Sequence, residues 1–199
     1  MGLNPEKPRR RSIRLDGYDY AEPGAYFVTV CTQGKECLFG EVVDGGMRLN
    51  PWGEIVWETW ERLPCHYPSV ESDAFVVMPN HVHGVIFLVG AGFKPARAND
   101  SPRNDTEAES RRAGFKPAPT IRRGLPEIVR ALKTFSARRI NENRETPGVR
   151  VWQRNYYKHV IRDDAEWNLV REYIAHNPEC WGEDAENPNP KIKGALLPR

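Results

Sequence analysis

The sequence predicts an α+β domain with a central antiparallel sheet and helices packed on it, and three observations carry that expectation. Residues 75–89, FVVMPNHVHGVIFLV, form the longest apolar run in the chain, broken only at Pro79-Asn80, so they read as two strands joined by a turn. After the turn both alternating faces are apolar, which marks a strand buried inside a sheet. Three other segments, near residues 51–63, 125–143 and 164–177, carry apolar residues at helical spacing.

The elements follow in order. Residues 1–13 are basic and proline-containing and are expected to be a flexible arm. Residues 26–32 are a strand by composition. Residues 38–43 and 47–49 flank Asp44-Gly45-Gly46 and read as a hairpin, because Asp-Gly supplies the positive φ that a tight turn needs. Asn50 and Pro51 then suit the cap and first position of a helix whose stripe is Trp52, Val56, Trp60 and Leu63, and Pro64 stops it. After the central strand, residues 90–123 are polar and contain Ala-Gly-Phe-Lys-Pro-Ala twice, at 91 and 113, and are expected to be a disordered insertion. Residues 125–143 read as a helix with the stripe Leu125, Ile128, Val129, Leu132, Ser136 and Ile140. Pro147-Gly148 turns the chain into residues 149–161, read as a strand. A final helix begins at Asp163 or Asp164, where Asp163-x-x-Glu166 resembles a capping box, and ends by Asn177 before Pro178. The domain is thus expected to span residues 14–182, with 183–199 a fraying tail.

Composition narrows the function classes. The chain has 199 residues, 39% hydrophobic and 28% charged, with a formal net charge of +2. That charge is unevenly spread, since residues 111–162 hold 14 Lys or Arg against 3 Asp or Glu. Such segregation points to a polyanionic partner, although part of the excess falls in the insertion. Cys31, Cys37, Cys65 and Cys180 make no Cys-x-x-Cys pair, so no zinc signature is present. With no apolar N-terminal stretch and no run long enough to span a bilayer, a cytoplasmic protein without a membrane partner is expected.

The chemistry concentrates in two places. His81 and His83 share one face at the mouth of the central strand, close enough to hold one metal ion; a pair of this kind also serves packing or hydrogen bonding. On the last helix Leu169, Tyr173 and Asn177 share a face. A tyrosine hydroxyl can attack a phosphodiester, but its pKa near ~10 leaves it protonated, which a metal ion at the phosphate can offset. Asn177, one turn from Tyr173, is placed to be a third ligand. Mg²⁺ prefers all-oxygen shells and two imidazoles suit Mn²⁺ better, so the ion is left open between Mg²⁺ and Mn²⁺. Tyr156 and Tyr157 are alternative nucleophiles. Arg130, Lys133, Arg138, Gln153, Arg154, Lys158 and Arg162 are the candidates for DNA contact.

Met78-Pro-Asn-His-Val-His-Gly84, Val151-Trp-Gln-Arg-Asn-Tyr-Tyr-Lys-His-Val-Ile-Arg162 and Arg171-Glu-Tyr-Ile-Ala-His-Asn-Pro178 together resemble the single-tyrosine transposases of the HUH endonucleases, nearest to the REP-associated branch. The resemblance covers roughly residues 14–90 and 124–182. It implies a ferredoxin-like α+β sandwich and a metal-dependent enzyme that cuts and rejoins single-stranded or hairpin DNA through a covalent 5′-phosphotyrosine. It makes His81 and His83 the metal ligands, Tyr173 the nucleophile and Asn177 the third, carboxamide ligand. Homodimers that exchange tyrosine helices occur among related transposases, so a homodimer is one expectation it carries. Lys158 departs from the pattern, which usually has an acidic residue there, and leaves the role of His159 open. The alternative is a DNA-binding protein of the same fold that does not cut.

Overall fold

The computed structural model describes residues 19–89 and 124–190. Its elements are β1 (Gly24–Cys31), β2 (Gly40–Val43), β3 (Gly46–Leu49), α1 (Pro51–Glu61), α2 (Leu63–His66), β4 (Val70–Val77), β5 (His81–Leu88), α3 (Leu125–Asn143), β6 (Tyr157–Ile161) and α4 (Asp164–His176). The four longer-range strands form one antiparallel sheet in the order β4-β5-β1-β6. Leaving out the β2–β3 hairpin and the short α2, the chain runs β1-α1-β4-β5-α3-β6. That is the split βαβ arrangement of a ferredoxin-like domain, with α4 added after the last strand. The expected insertion separates β5 from α3; the disorder expected of it, the basic arm and residues 191–199 lie outside the described residues.

Both faces of the sheet are covered. On one face Tyr26, Val28, Val30, Val82, Ile86 and Leu88 pack with Val56 and Trp60 of α1 and Ile128, Leu132 and Ile140 of α3. On the other, Phe27, Val85, Phe87 and Ile161 pack with Ile174 of α4, and Trp167, Val170 and Tyr173 lean on this smaller cluster. The strand between them, β5, is buried at all eight positions, His81 and His83 included.

Local chemistry sets the boundaries much as the sequence implied. Asp44 and Gly45 both take positive φ, 50° and 75°, the pair a two-residue hairpin turn requires. The Asn50 side chain accepts from the backbone N–H groups of Trp52 and Gly53, capping α1 over Pro51. Asp163 accepts from Glu166 N at 2.8 Å, but the reciprocal Glu166 carboxylate reaches Arg162 N, one residue before the cap.

Two strands differ from expectation. β4 begins at Val70, ahead of the apolar run, because Glu71, Ser72 and Asp73 hide the pattern and the register shifts between Ser72 and Phe75. The expected strand over residues 149–161 is regular only at Tyr157–Ile161. Upstream of it the chain makes a single bridge, Thr32 with Trp152. Trp152 packs on Phe39 at 5.0 Å and donates from Nε1 to Ser136 Oγ, which holds the segment toward α3 and off the sheet.

Gly84 lies where β5 passes under α1. A Cβ added there would stand 2.4 Å and 2.7 Å from the buried Trp60 ring and 2.9 Å from Phe75, and those rings stack at 4.2 Å. The Trp60 ring is fully buried and Phe75 is half-buried, so making room means moving packed side chains. Gly84→Ala is expected to destabilise the domain by about 1–3 kcal/mol, read as a lower denaturation midpoint at unchanged slope; an unchanged midpoint would mean that Trp60 can swing aside.

A candidate metal and tyrosine centre

His81 and His83 stand at the start of β5 on the face covered by α4, with Thr29 of β1 directly opposite His83. Both imidazoles are tied through Nδ1. His81 Nδ1 lies 2.8 Å from Asn80 Oδ1. The Asn80 amide is itself fixed, since its Nδ2 donates to the carbonyls of Lys35 and Glu186. Oδ1 can only accept, so His81 carries its proton on Nδ1 and leaves a lone pair on Nε2. His83 Nδ1 lies 2.8 Å from the Thr29 hydroxyl, and its Nε2 faces His81 Nε2 at 2.9 Å. Burial pushes His81 down to about 4 and holds His83 well below its ordinary value, with the neighbouring imidazole adding to the effect. Both rings are therefore neutral at neutral pH, the form that binds metal.

α4 brings two more groups to the same point. The Tyr173 hydroxyl is 3.3 Å from His83 Nε2, with the two rings edge to face at 5.2 Å. Burial, and then the Asp184 carboxylate, raise this hydroxyl above the usual tyrosine value. One turn on, Asn177 is 2% exposed; its Nδ2 donates to Asp184 Oδ2 at 3.2 Å, and its Oδ1 is buried without a hydrogen-bond partner. A buried carboxamide oxygen left unpaired costs about 1–3 kcal/mol, so it asks for a cation or donor.

The helix is positioned from several sides. Ile174 is buried against the sheet. Asp73 Oδ2 accepts from Trp167 Nε1 at 2.7 Å and stands 3.4 Å from Arg171 Nε, pinning the middle of α4 to β4. His159 of β6 meets Glu166 at 2.6 Å and holds the first turn. With its ends and middle fixed, α4 has one register, and that register aims Tyr173 and Asn177 inward while Leu169, on the same stripe, is 67% exposed.

Residues past the helix complete the centre, and they were expected to fray. Instead Asp184 Oδ2 stands 3.9 Å from His81 Nε2, and the donor atoms of His81, His83 and Asp184 lie within 4.8 Å of one another. Nothing in the sequence marked Asp184, because a segment rich in Pro, Asn and acids with no apolar period looks like a solvated tail. His81, His83 and Asp184 could hold a metal ion, with the Asn177 carboxamide beside them.

The other sequence candidates scatter. Arg130, Lys133, Gln153 and Arg154 line a groove of about 530 Å³ between α3 and the chain around residues 148–156, together with Arg150 and Tyr156. Within it Lys133 is committed, its Nζ 2.9–3.3 Å from the carbonyls of Gln153, Arg154 and Asn155. Lys158 is buried with its ammonium 3.6 Å over the Tyr20 ring, so it does not face solvent. Arg138 lies on the outer side of α3, paired with Glu142, and Arg162 stands exposed before α4. Tyr157 shares the histidine face, edge-on to Phe27, whereas Tyr156 packs against the opposite core.

No family model matches the chain. A Haemophilus influenzae protein described as uncharacterized is 38% identical over 181 residues, covering 88% of this chain and 91% of that protein. A second protein of that organism, named "Putative REP-associated tyrosine transposase", is 28% identical over 161 residues, 80% of this chain and 73% of its own length. Among solved structures, a REP-associated tyrosine transposase bound to a REP hairpin aligns with a TM-score of 0.47 at 17% identity, over 82% of this chain and 73% of that one.

Asp73→Ala removes the shared acceptor of Trp167 and Arg171. The variant is expected to lose about 1–3 kcal/mol and to show faster amide exchange along α4 than along β5. Uniform exchange across both elements would show that Asp73 does not hold the helix.

Proposed function

We propose, for a chain that belongs with the REP-associated tyrosine transposase-like proteins, a metal-dependent activity that cuts and rejoins single-stranded or hairpin DNA through Tyr173. The observation that carries this reading is the convergence of four groups from two elements, β5 and α4: the Nε2 atoms of His81 and His83 at 2.9 Å, the Tyr173 hydroxyl 3.3 Å from one of them, and the unpaired Oδ1 of Asn177.

His81, His83 and Asn177 would hold the ion. When bound, a divalent cation neutralises charge on the scissile phosphate and makes phosphorus more electrophilic. Asn80 and Thr29 keep the two rings turned so that Nε2 faces the site. Phe27 and His83 wedge the Tyr173 ring edge to face and fix the direction of its hydroxyl. In the reaction the Tyr173 oxygen bonds to phosphorus, the bond from phosphorus to the 3′ oxygen breaks, the phenolic proton passes to solvent, and the departing 3′ oxygen takes one up. The released strand ends in a 3′-hydroxyl, while the 5′-phosphate stays on the tyrosine. Because one phosphoester replaces another, a 3′-hydroxyl can reverse the step and rejoin DNA.

Substrate binding is assigned to the groove. Arg130, Arg150 and Arg154 offer guanidinium groups to phosphates, and Gln153 a carboxamide to a base or sugar. The groove opens at the same end of the sheet as the histidines: Cys31 pairs with His81 on one side and accepts from Gln153 N on the other.

With Mn²⁺ and a labelled hairpin-tailed oligonucleotide, wild-type protein is expected to give a DNA-linked band that survives denaturation. Tyr173→Phe should abolish that band and keep DNA affinity, His81→Ala and His83→Ala should also abolish it, and Tyr157→Phe should retain it. DNA mapped to a peptide containing Tyr156 or Tyr157 overturns the assignment of Tyr173. If about five phosphates are neutralised, affinity for single strands should fall with salt at a log–log slope of roughly −3 to −4; a slope near zero removes the groove from the reading.

A further inference from the structure

The strand of residues after α4 is built into the centre more firmly than its composition suggests. A 3-10 turn, Trp181–Glu183, brings the Trp181 ring to 6.0 Å from His81. Asn187 Nδ2 donates back to Trp181 O at 2.7 Å. Asn80 Nδ2 donates to Glu186 O at 2.7 Å, and Lys35 Nζ reaches the Ala185 carbonyl at 3.2 Å and the Glu186 carboxylate at 3.0 Å. These contacts hold a chain segment across the mouth of β5, with its Glu186 end tied to Asn80, which also orients His81.

Inside this segment the two carboxylates have different fates. Glu186 is spent on Lys35, with the Cys31 thiol donating to it at 3.4 Å. Asp184 is not spent in that way. Its Oδ1 accepts from Glu186 N at 2.6 Å, which fixes the carboxylate plane. Its Oδ2 takes one hydrogen bond, from Asn177 Nδ2, and points toward His81 Nε2 with a side chain only 6% exposed. An anion buried this far normally needs a cation. Beside Oδ2 stand the His81 Nε2 lone pair, the neutral His83 ring and the unpaired Asn177 Oδ1, none of which supplies charge.

We propose that Asp184 is a ligand of the metal, supplying the carboxylate oxygen to a set completed by His81, His83 and Asn177. The inference rests on the metal reading of the histidine pair and adds what that reading left out: an anionic ligand from outside the strand and helix motifs. It also assigns Asp184 a second task. By accepting from Nδ2 it fixes the Asn177 amide and turns Oδ1 toward the same point. One carboxylate changes the formal charge of the loaded centre from +2 to +1 and favours a hard ion in a site whose nitrogens favour softer ones.

The test uses the full chain stripped of metal and titrated with Mn²⁺, following the free-ion signal by electron paramagnetic resonance. Wild type is expected to bind one Mn²⁺ per chain. Asp184→Asn keeps the shape and the bond to Asn177 but loses the charge; Asp184→Ala loses both. Both should bind at least ~10-fold more weakly, melt close to wild type without metal, and lose most of the upward shift in melting temperature that Mn²⁺ gives wild type. Wild-type affinity in both variants, alongside lost binding in His83→Ala, overturns the ligand role of Asp184 and leaves the two-histidine site standing. Tighter binding in the variants overturns it as well, because the carboxylate would then compete with the ion's other partners. No Mn²⁺ binding by wild type at all overturns the metal reading itself, and the proposal with it.

Discussion

A strand buried on both faces can carry polar side chains only where each of them is paired, and that constraint governs the centre of this protein. β5 lies between β1 and β4 with an apolar core on each side, so any imidazole on it loses water. Thr29 and Asn80 satisfy Nδ1 of the two histidines. Their second nitrogens are left facing each other in a small polar space. The same asparagine ties the Lys35 carbonyl and the Glu186 carbonyl, so the turn before β5, the turn after β1 and the segment past α4 meet on one amide. Loosening Asn80 would release all three.

The local field at this point is neutral to negative. Both imidazoles are held neutral, and Asp184 and Glu186 stand nearby, with Lys35 the counter-charge for Glu186. Such surroundings raise the Cys31 thiol to about 12, through burial first and Glu186 second, and they raise the Tyr173 hydroxyl as well. A phosphate would be repelled here unless a cation came with it. Bound divalent ions invert that logic, because they are the largest charge in the site. Under the proposed reading the protein keeps the centre inert toward DNA until it is loaded.

Holding α4 in register is what turns a helix face into a site. Its apolar stripe of Trp167, Val170 and Ile174 fixes which side meets the sheet. Apolar contact alone allows a helix to slide, and the hydrogen bonds to Asp73 and the pair of His159 with Glu166 oppose that sliding. The departure at Lys158 finds a structural answer, since its ammonium rests on the Tyr20 ring on the far side of β6. His159, pointing the other way, is free to serve the helix.

The sequence by itself determined the elements that carry local signals. The Asn50 and Asp163 caps, the Asp-Gly hairpin and the stripes of α1, α3 and α4 all stand where composition and spacing put them, because caps, turns and amphipathic periods are written in neighbouring residues. His81 and His83 were legible for the same reason: alternation along one strand places them on one face. Tyr173 and Asn177 were legible as a pair on a helix, linked to the histidines by the metal that a tyrosine nucleophile would need and by resemblance. Tertiary structure decided what depends on partners distant in sequence. It delayed the regular part of β6 until Tyr157, since Trp152 finds Ser136 and Phe39. It withdrew Lys158 from the surface by laying it on a ring, and it committed the Lys133 ammonium to backbone carbonyls at the wall of the groove. It brought Asp184 to the histidines, which no local pattern marks, because a carboxylate becomes part of a site only when the chain folds back and removes the water around it.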